Sequence, residues 1–155
     1  MSGNPTPEDA LRRRALEILG RRAMSRRELI DKLIQKGERE EAAELAADWL
    51  TEMRFLDDAD YAEQIVRHYA AKGYGKKRLE QEFWRRGIAK ELWETALLEM
   101  PDGDESLDRF IHTKLRGLDP DAKEKKHVAD ALARRGYSWD EIDAGLRRYK
   151  DSLGE

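Results

Sequence analysis

The sequence predicts an all-α protein built as three tandem three-helix repeats, and three observations carry that prediction. Apolar residues recur at helical spacing, as in Leu11, Ala15, Ile18 and Leu19, in Leu29, Leu33 and Ile34, and in Leu45, Trp49 and Leu50. Helix boundaries are written in the side chains, while no segment alternates polar and apolar residues for long enough to make a sheet. Finally, one pattern of basic and apolar residues ending in glycine occurs three times, at spacings of 50 and 49 residues.

That pattern aligns Gly37, Gly87 and Gly136. Four residues before each stands Leu33, Phe83 or Leu132, and eight before stands Leu29, Leu79 or Val128. A basic pair precedes these: Arg26-Arg27, Lys76-Lys77 or Lys125-Lys126. A further base, Lys36, Arg86 or Arg135, immediately precedes the glycine. Each copy is too short to bury its own apolar face, so the copies are expected to stack on their neighbours.

Residues 9–55 form the first expected unit, with helices over 9–20, 25–36 and 40–54. Ser25 and Glu28 supply a capping box for the second of these, each side chain accepting from the other's backbone N–H. The second unit covers 56–100, with helices over 58–72, 76–86 and 89–99; Asp57-Asp58 caps the first and places negative charge at its positive end. The third unit covers 101–151, with helices over 104–116, 121–135 and 139–150, the last begun by Ser138 and Glu141. Gly20, Gly37, Gly73, Gly87, Gly117 and Gly136 are read as stops, and Pro101-Asp102-Gly103-Asp104 and Leu118-Asp119-Pro120 as breaks. The first eight and last four residues are expected to fray.

Composition narrows the class. Of 155 residues, 41% are charged, yet the net charge is −3. Leu, Ile, Val and Phe together number 30, so the cores should be thin and distributed, with the aromatic residues helping to fill them. No run approaches the ~18 apolar residues of a membrane helix, and Met1–Pro7 carries no apolar stretch of a signal peptide. There is no cysteine, which removes disulfides and thiolate chemistry and fits a cytoplasmic protein. An acidic pI argues against coating nucleic acid by bulk charge.

No enzyme signal survives inspection. Gly73-Tyr74-Gly75-Lys76-Lys77 lacks the spacing of a phosphate-binding loop and reads as one helix ending and another beginning. His68, His112 and His127 have no metal-ligand spacing, and Asp57-Asp58 reads as a cap rather than an acid–base pair. The expectation is a protein with no catalytic residue, no metal and no cofactor.

Charge read in blocks is more informative. Residues 11–36 hold nine bases against three acids, 38–63 two against ten, 67–90 eight against two, 91–108 none against seven, and 109–136 eight against four. Basic blocks coincide with the middle helix of each unit and acidic blocks with the third. Stacking would then bring the basic helices towards one side, as a strip for an acidic groove or a nucleic-acid backbone. Trp49, Trp93 and Trp139, one in each third helix, are expected in the core, and Trp84 with them.

Three segments together resemble the RecX family, the regulators of the bacterial RecA recombinase. They are Ser25-Arg26-Arg27-Glu28-Leu29 through Lys36-Gly37, then Phe55-Leu56-Asp57-Asp58-Ala59-Asp60-Tyr61-Ala62, and Gly75-Lys76-Lys77-Arg78-Leu79 through Arg86-Gly87-Ile88. The likeness is close over about residues 11–100 and looser beyond. It implies tandem three-helix repeats in an elongated, curved arrangement. It further implies a non-enzymatic monomer that binds RecA, lodges in its filament on single-stranded DNA, with that DNA as a further contact, and limits ATPase, filament extension and strand exchange. The expected contacts are Arg26, Arg27, Lys76, Lys77 and Arg78, then Arg85 and Arg86, then Lys125 and Lys126. Leu56, Asp57, Asp58 and Tyr61 read as cap and packing. Glu124 stands where the other units have Ser25 and Gly75. Two other classes fit the residues: a stand-alone helix-turn-helix module with 25–36 in a DNA groove, and a helical-repeat adaptor for another protein.

Overall fold

A computed structural model describes residues 6–101 and 104–154. Among them the chain is helical throughout: α1 Pro7–Arg21, α2 Arg26–Gln35, α3 Glu40–Glu52, α4 Asp58–Ala71, α5 Lys76–Arg85, a 3-10 turn Lys90–Leu92 leading into α6 Trp93–Leu97, α7 Glu105–Leu115, α8 Ala122–Arg134 and α9 Trp139–Leu153.

The predicted starts are built as expected. Ser25 and Glu28 exchange bonds at 3.1 and 3.0 Å, and Ser138 and Glu141 at 2.8 and 3.1 Å. The Asp57 carboxylate accepts from the Asp60 N–H at 3.1 Å at the start of α4. Thr6 and Asp9 form a further capping box, so residues 6–8 start a helix rather than fray, and at the other end α9 runs to Leu153. Gly154 caps that helix, its N–H bonded to the Asp151 carbonyl; residues 1–5 and 155 of the expected frayed ends lie outside the described residues, as do Asp102 and Gly103 of the predicted break. Five of the six predicted glycine stops carry positive φ, between 73° and 103°. Gly20 does not; it lies inside α1, which continues one residue further.

The chain divides into two compact units, Met1–Gln64 with Phe83–Ala96, and Ile65–Glu82 with Leu97–Glu155. In the first, α1 and α2 pack on α3 around Leu11, Ala15, Ile18, Leu29, Leu33, Ala47 and Leu50, closed by Leu56. Alanines at the α3 contact keep the helices close. In the second, α7 and α8 pack on α9 around Leu107, Ile111, Val128, Leu132, Ile142 and Tyr149. Gly145 lets α9 approach α7: a Cβ there would collide with the Leu107 side chain.

The tryptophans divide. Trp49 packs half-buried on the first core, under the Arg12 guanidinium at 4.6 Å. Trp93 packs on Phe83 and donates its indole N–H to the Ile88 carbonyl at 3.0 Å. Trp139 and Trp84 are exposed, at 55% and 79%, and do not serve the core. Trp139 is the first residue of α9 and precedes its first inward position, Ile142. Trp84 faces away from Phe83, its buried neighbour. Leu45 is likewise 67% exposed, because alanines rather than leucines fill the inward positions of α3.

Candidate partner-binding site

The nine basic residues expected to bind a partner fall at helix ends, and the folding of those ends decides what each can do. Arg26 and Arg27 open α2, and Lys76, Lys77 and Arg78 open α5, whose first turn has no acid. Cations there oppose the partial positive charge of a helix N-terminus and cost roughly 0.3–1 kcal/mol each. The structure offsets this with carbonyl oxygens from the C-terminus of another helix.

In the first compact unit, the Ser25 hydroxyl donates to the Arg86 carbonyl at the end of α5, at 2.5 Å, and Gly87 lies against the Arg27 side chain. The Arg26 N–H finds a second acceptor, the Asp58 carboxylate, at 2.9 Å. Burial raises the Asp58 pKa above its ordinary value, against the lowering effect of that bond and of the Arg26 charge. The Arg26 guanidinium pairs with Asp48 at 2.8 Å, and Arg27 approaches Asp31 at 3.8 Å. Arg86 donates to the Tyr61 hydroxyl at 2.6 Å. Burial raises the Tyr61 pKa, while the Arg86 bond works the other way. Arg26 and Arg86 are half-buried, and Arg27 and Arg85 are exposed.

The second unit repeats the arrangement three helices later, with the start of α5 against the end of α8. The Gly75 N–H donates to the Arg135 carbonyl at 2.8 Å and the Lys77 N–H to the Gly136 carbonyl at 3.0 Å. The N-terminus of α5 is therefore capped by the C-terminus of α8, with no side-chain cap needed. Lys76 and Lys77 are exposed, and no acid lies within 4 Å of either among the described residues. Arg78 is half-buried over Tyr74 at 4.9 Å and reaches the buried Glu82 at 3.6 Å.

Lys125 and Lys126 sit differently. The cap of α8 is Asp121, and Glu124 is the third helical residue, reciprocating the capping box. Relative to α2 and α5, α8 begins three residues earlier, so this basic pair occupies its fourth and fifth positions instead of its first two. Lys126 pairs with Asp130 at 2.8 Å, and that hydrogen bond holds the Asp130 pKa below the usual range. The structure therefore joins Arg26 and Arg27 to the Arg85-Arg86 end of α5, and Lys76–Arg78 to the end of α8. It does not join Lys125 and Lys126 to that second group, since they occupy the opposite end of α8. Arg134 and Arg135 do belong there; Arg135 was legible as the third copy of the base-before-glycine pattern, and Arg134 only as one base of the 109–136 block. Among the described residues no group of His, Cys, Asp or Glu could hold a metal ion, and no helix is long and apolar enough to cross a membrane.

The described helices thus present exposed bases at their ends, and comparison with known proteins shows the family of the chain. Residues 12–50 match the first three-helix domain of RecX and residues 57–97 the second. The chain is 38% identical over 135 residues to the regulatory protein RecX of Pseudomonas fluorescens, covering 86% of this chain and 87% of that one. It is 36% identical over 136 residues to the same-named protein of Xanthomonas oryzae pv. oryzae, covering 86% and 85%. The crystal structure of RecX from Lactobacillus salivarius superposes with a TM-score of 0.83 over 92% of this chain and 96% of that one; at 22% identity this shows the fold alone. The chain belongs to the RecX family, and is a regulatory protein rather than an enzyme.

Proposed function

We propose that this protein binds RecA and its filament on single-stranded DNA, and restrains RecA's ATPase, filament extension and strand exchange. The observation that carries the proposal is the basic opening turn of α5. Lys76 and Lys77 stand exposed where a helix favours acids, and no ion pair among the described residues quenches them. A fold that keeps cations at an unfavourable position marks a functional surface. We take Arg27 and Arg85, the exposed bases of this joint, as contacts from the first compact unit, and assign the half-buried Arg26 and Arg86 a supporting part. Lys125 and Lys126 form a separate contact. The division into units 9–55, 56–100 and 101–151 belongs to the same proposal. It is supported by the way the start of a middle helix meets the end of the next, first at Ser25 with Arg86 and again at Gly75 with Arg135.

The test is Lys76→Glu with Lys77→Glu. Neither side chain packs in the core, and an acid suits a helix N-terminus better than a base, so helicity should be kept and the melting temperature should not fall. Reversing two contact charges should weaken inhibition of RecA's DNA-dependent ATPase by about tenfold or more, equivalent to ~1.4 kcal/mol. Inhibition equal to that of the parent protein would remove these residues from the interface.

A further inference from the structure

The second compact unit contains an open depression of about 480 Å³, large enough for one small ligand. Four basic side chains line it, Arg78, Lys114, Arg134 and Arg135, with the aromatic rings of Tyr74 and Phe110 and the imidazole of His127. No acid lines it, in a chain where acids outnumber bases by 33 to 30. Lys114 and Arg134 are exposed, and among the described residues neither has an acid within 4 Å.

The cations and rings alternate. Arg78 lies over Tyr74 at 4.9 Å, Arg135 over Tyr74 at 5.2 Å and over Phe110 at 5.0 Å, and Lys114 over Phe110 at 5.5 Å. Arg135 is fixed further by a bond from its guanidinium to the Lys72 carbonyl at 3.0 Å. Stacking on ring faces immobilises a guanidinium before any ligand arrives, and leaves N–H groups at its edge for an in-plane acceptor. Because cations already occupy the ring faces, the recognised group is an anion rather than a stacked base. The Gly75 and Lys77 N–H groups are not available to it, being bonded to the Arg135 and Gly136 carbonyls.

We propose that this depression is a phosphate-binding site, in which Arg78, Lys114, Arg134 and Arg135 hold the phosphate of a nucleotide. A phosphate offers several acceptor oxygens to the converging donors, where a single carboxylate offers two. The nucleotide can be free or part of a single strand; the depression is too small for a duplex. The site is independent of RecA, so its test omits RecA.

The experiment compares the parent protein with Lys114→Glu/Arg134→Glu, whose helix content is checked by circular dichroism. Both positions are exposed and outside the core. Titration calorimetry with pyrophosphate and ATP reads the free ligand. Fluorescence anisotropy with labelled single-stranded oligothymidine and a fully abasic strand reads the polymer, and a labelled oligoglutamate peptide reads carboxylates. The parent should bind at least one phosphate probe and bind oligoglutamate at least about tenfold more weakly. The double variant should lose about tenfold or more in affinity for every phosphate probe the parent binds. If a strand binds, its salt slope in the variant should shrink by about 1.4, at roughly 0.7 per lost phosphate contact. Binding of pyrophosphate or ATP identifies a free-nucleotide site; binding of both strands without either identifies the sugar–phosphate backbone. No binding of any phosphate probe, unaltered affinity in the variant, a strand that binds only when it carries bases, or oligoglutamate bound as tightly as phosphate, each overturns the proposal.

Discussion

Asp58 shows how one side chain can serve the fold at an electrostatic cost. Its carboxylate caps the Arg26 N–H at 2.9 Å, yet burial raises its pKa. An acid whose folded pKa exceeds its unfolded value binds protons more tightly when folded, so stability declines as pH rises from the unfolded value through the raised one. Asp58→Asn keeps an acceptor oxygen and removes the charge. Measured by urea unfolding from pH 3 to 7, its stability relative to the parent should move in the variant's favour as pH rises through that window. A difference independent of pH would mean that burial does not burden this carboxylate. Such a role was only half legible. The Asp57-Asp58 pair could be read as a cap for its own helix, which Asp57 is, but the bond from Asp58 to α2 spans 32 positions of sequence. Residues whose partners are local, such as Ser25 with Glu28, could be read from spacing alone. Trp84 and Trp139 could not, because hydrophobicity without an inward position says only that burial would be favourable.

At the level of the element, helix ends were more legible than the joints between them. The glycine in the base-glycine pattern marks a stop wherever positive φ is needed, but its second use, close backbone contact with another helix, depends on tertiary structure. Three alanine substitutions separate these roles. Gly20 lies inside α1, where a Cβ would meet nothing within 4 Å, so Gly20→Ala should stabilise by about 0.5–1 kcal/mol through helix propensity. Gly37 has equal space but φ of +103°, and Gly37→Ala should cost about 1–2 kcal/mol. At Gly75 a Cβ would come within 2.7 Å of the Gly136 backbone, which cannot yield as a flexible side chain does, and Gly75→Ala should cost about 1–3 kcal/mol. Denaturant midpoints at constant m-value read all three. If Gly75→Ala proved as benign as Gly20→Ala, the capping of α5 by the end of α8 would not be a tight backbone contact. The same joint explains how basic residues persist in the first turn of α5: the carbonyls of Arg135 and Gly136 supply the negative end that an acidic side chain would otherwise provide.

For the molecule as a whole, a chain that is 41% charged with a net charge of −3 has little long-range field with which to attract a polyanion. Its attraction must come from local blocks, and within the Debye length of about 8 Å at physiological salt only those blocks act. This bears directly on the proposed RecA function. If exposed bases at Arg27, Lys76, Lys77 and Arg85 meet acidic groups or phosphates, raising salt from about 50 to about 200 mM should weaken inhibition of the RecA ATPase steeply. Four such contacts on single-stranded DNA would give a slope of about −2.8 in log affinity against log salt, at roughly 0.7 per phosphate. Titrating the protein into RecA filaments at several salt concentrations measures that slope, after correction for RecA's own salt response. Lys76→Glu/Lys77→Glu should lower it by about half as well as weakening inhibition at low salt. Inhibition that is strong and insensitive to salt would instead point to apolar contacts, for which Trp84 on α5, 79% exposed, is one available anchor.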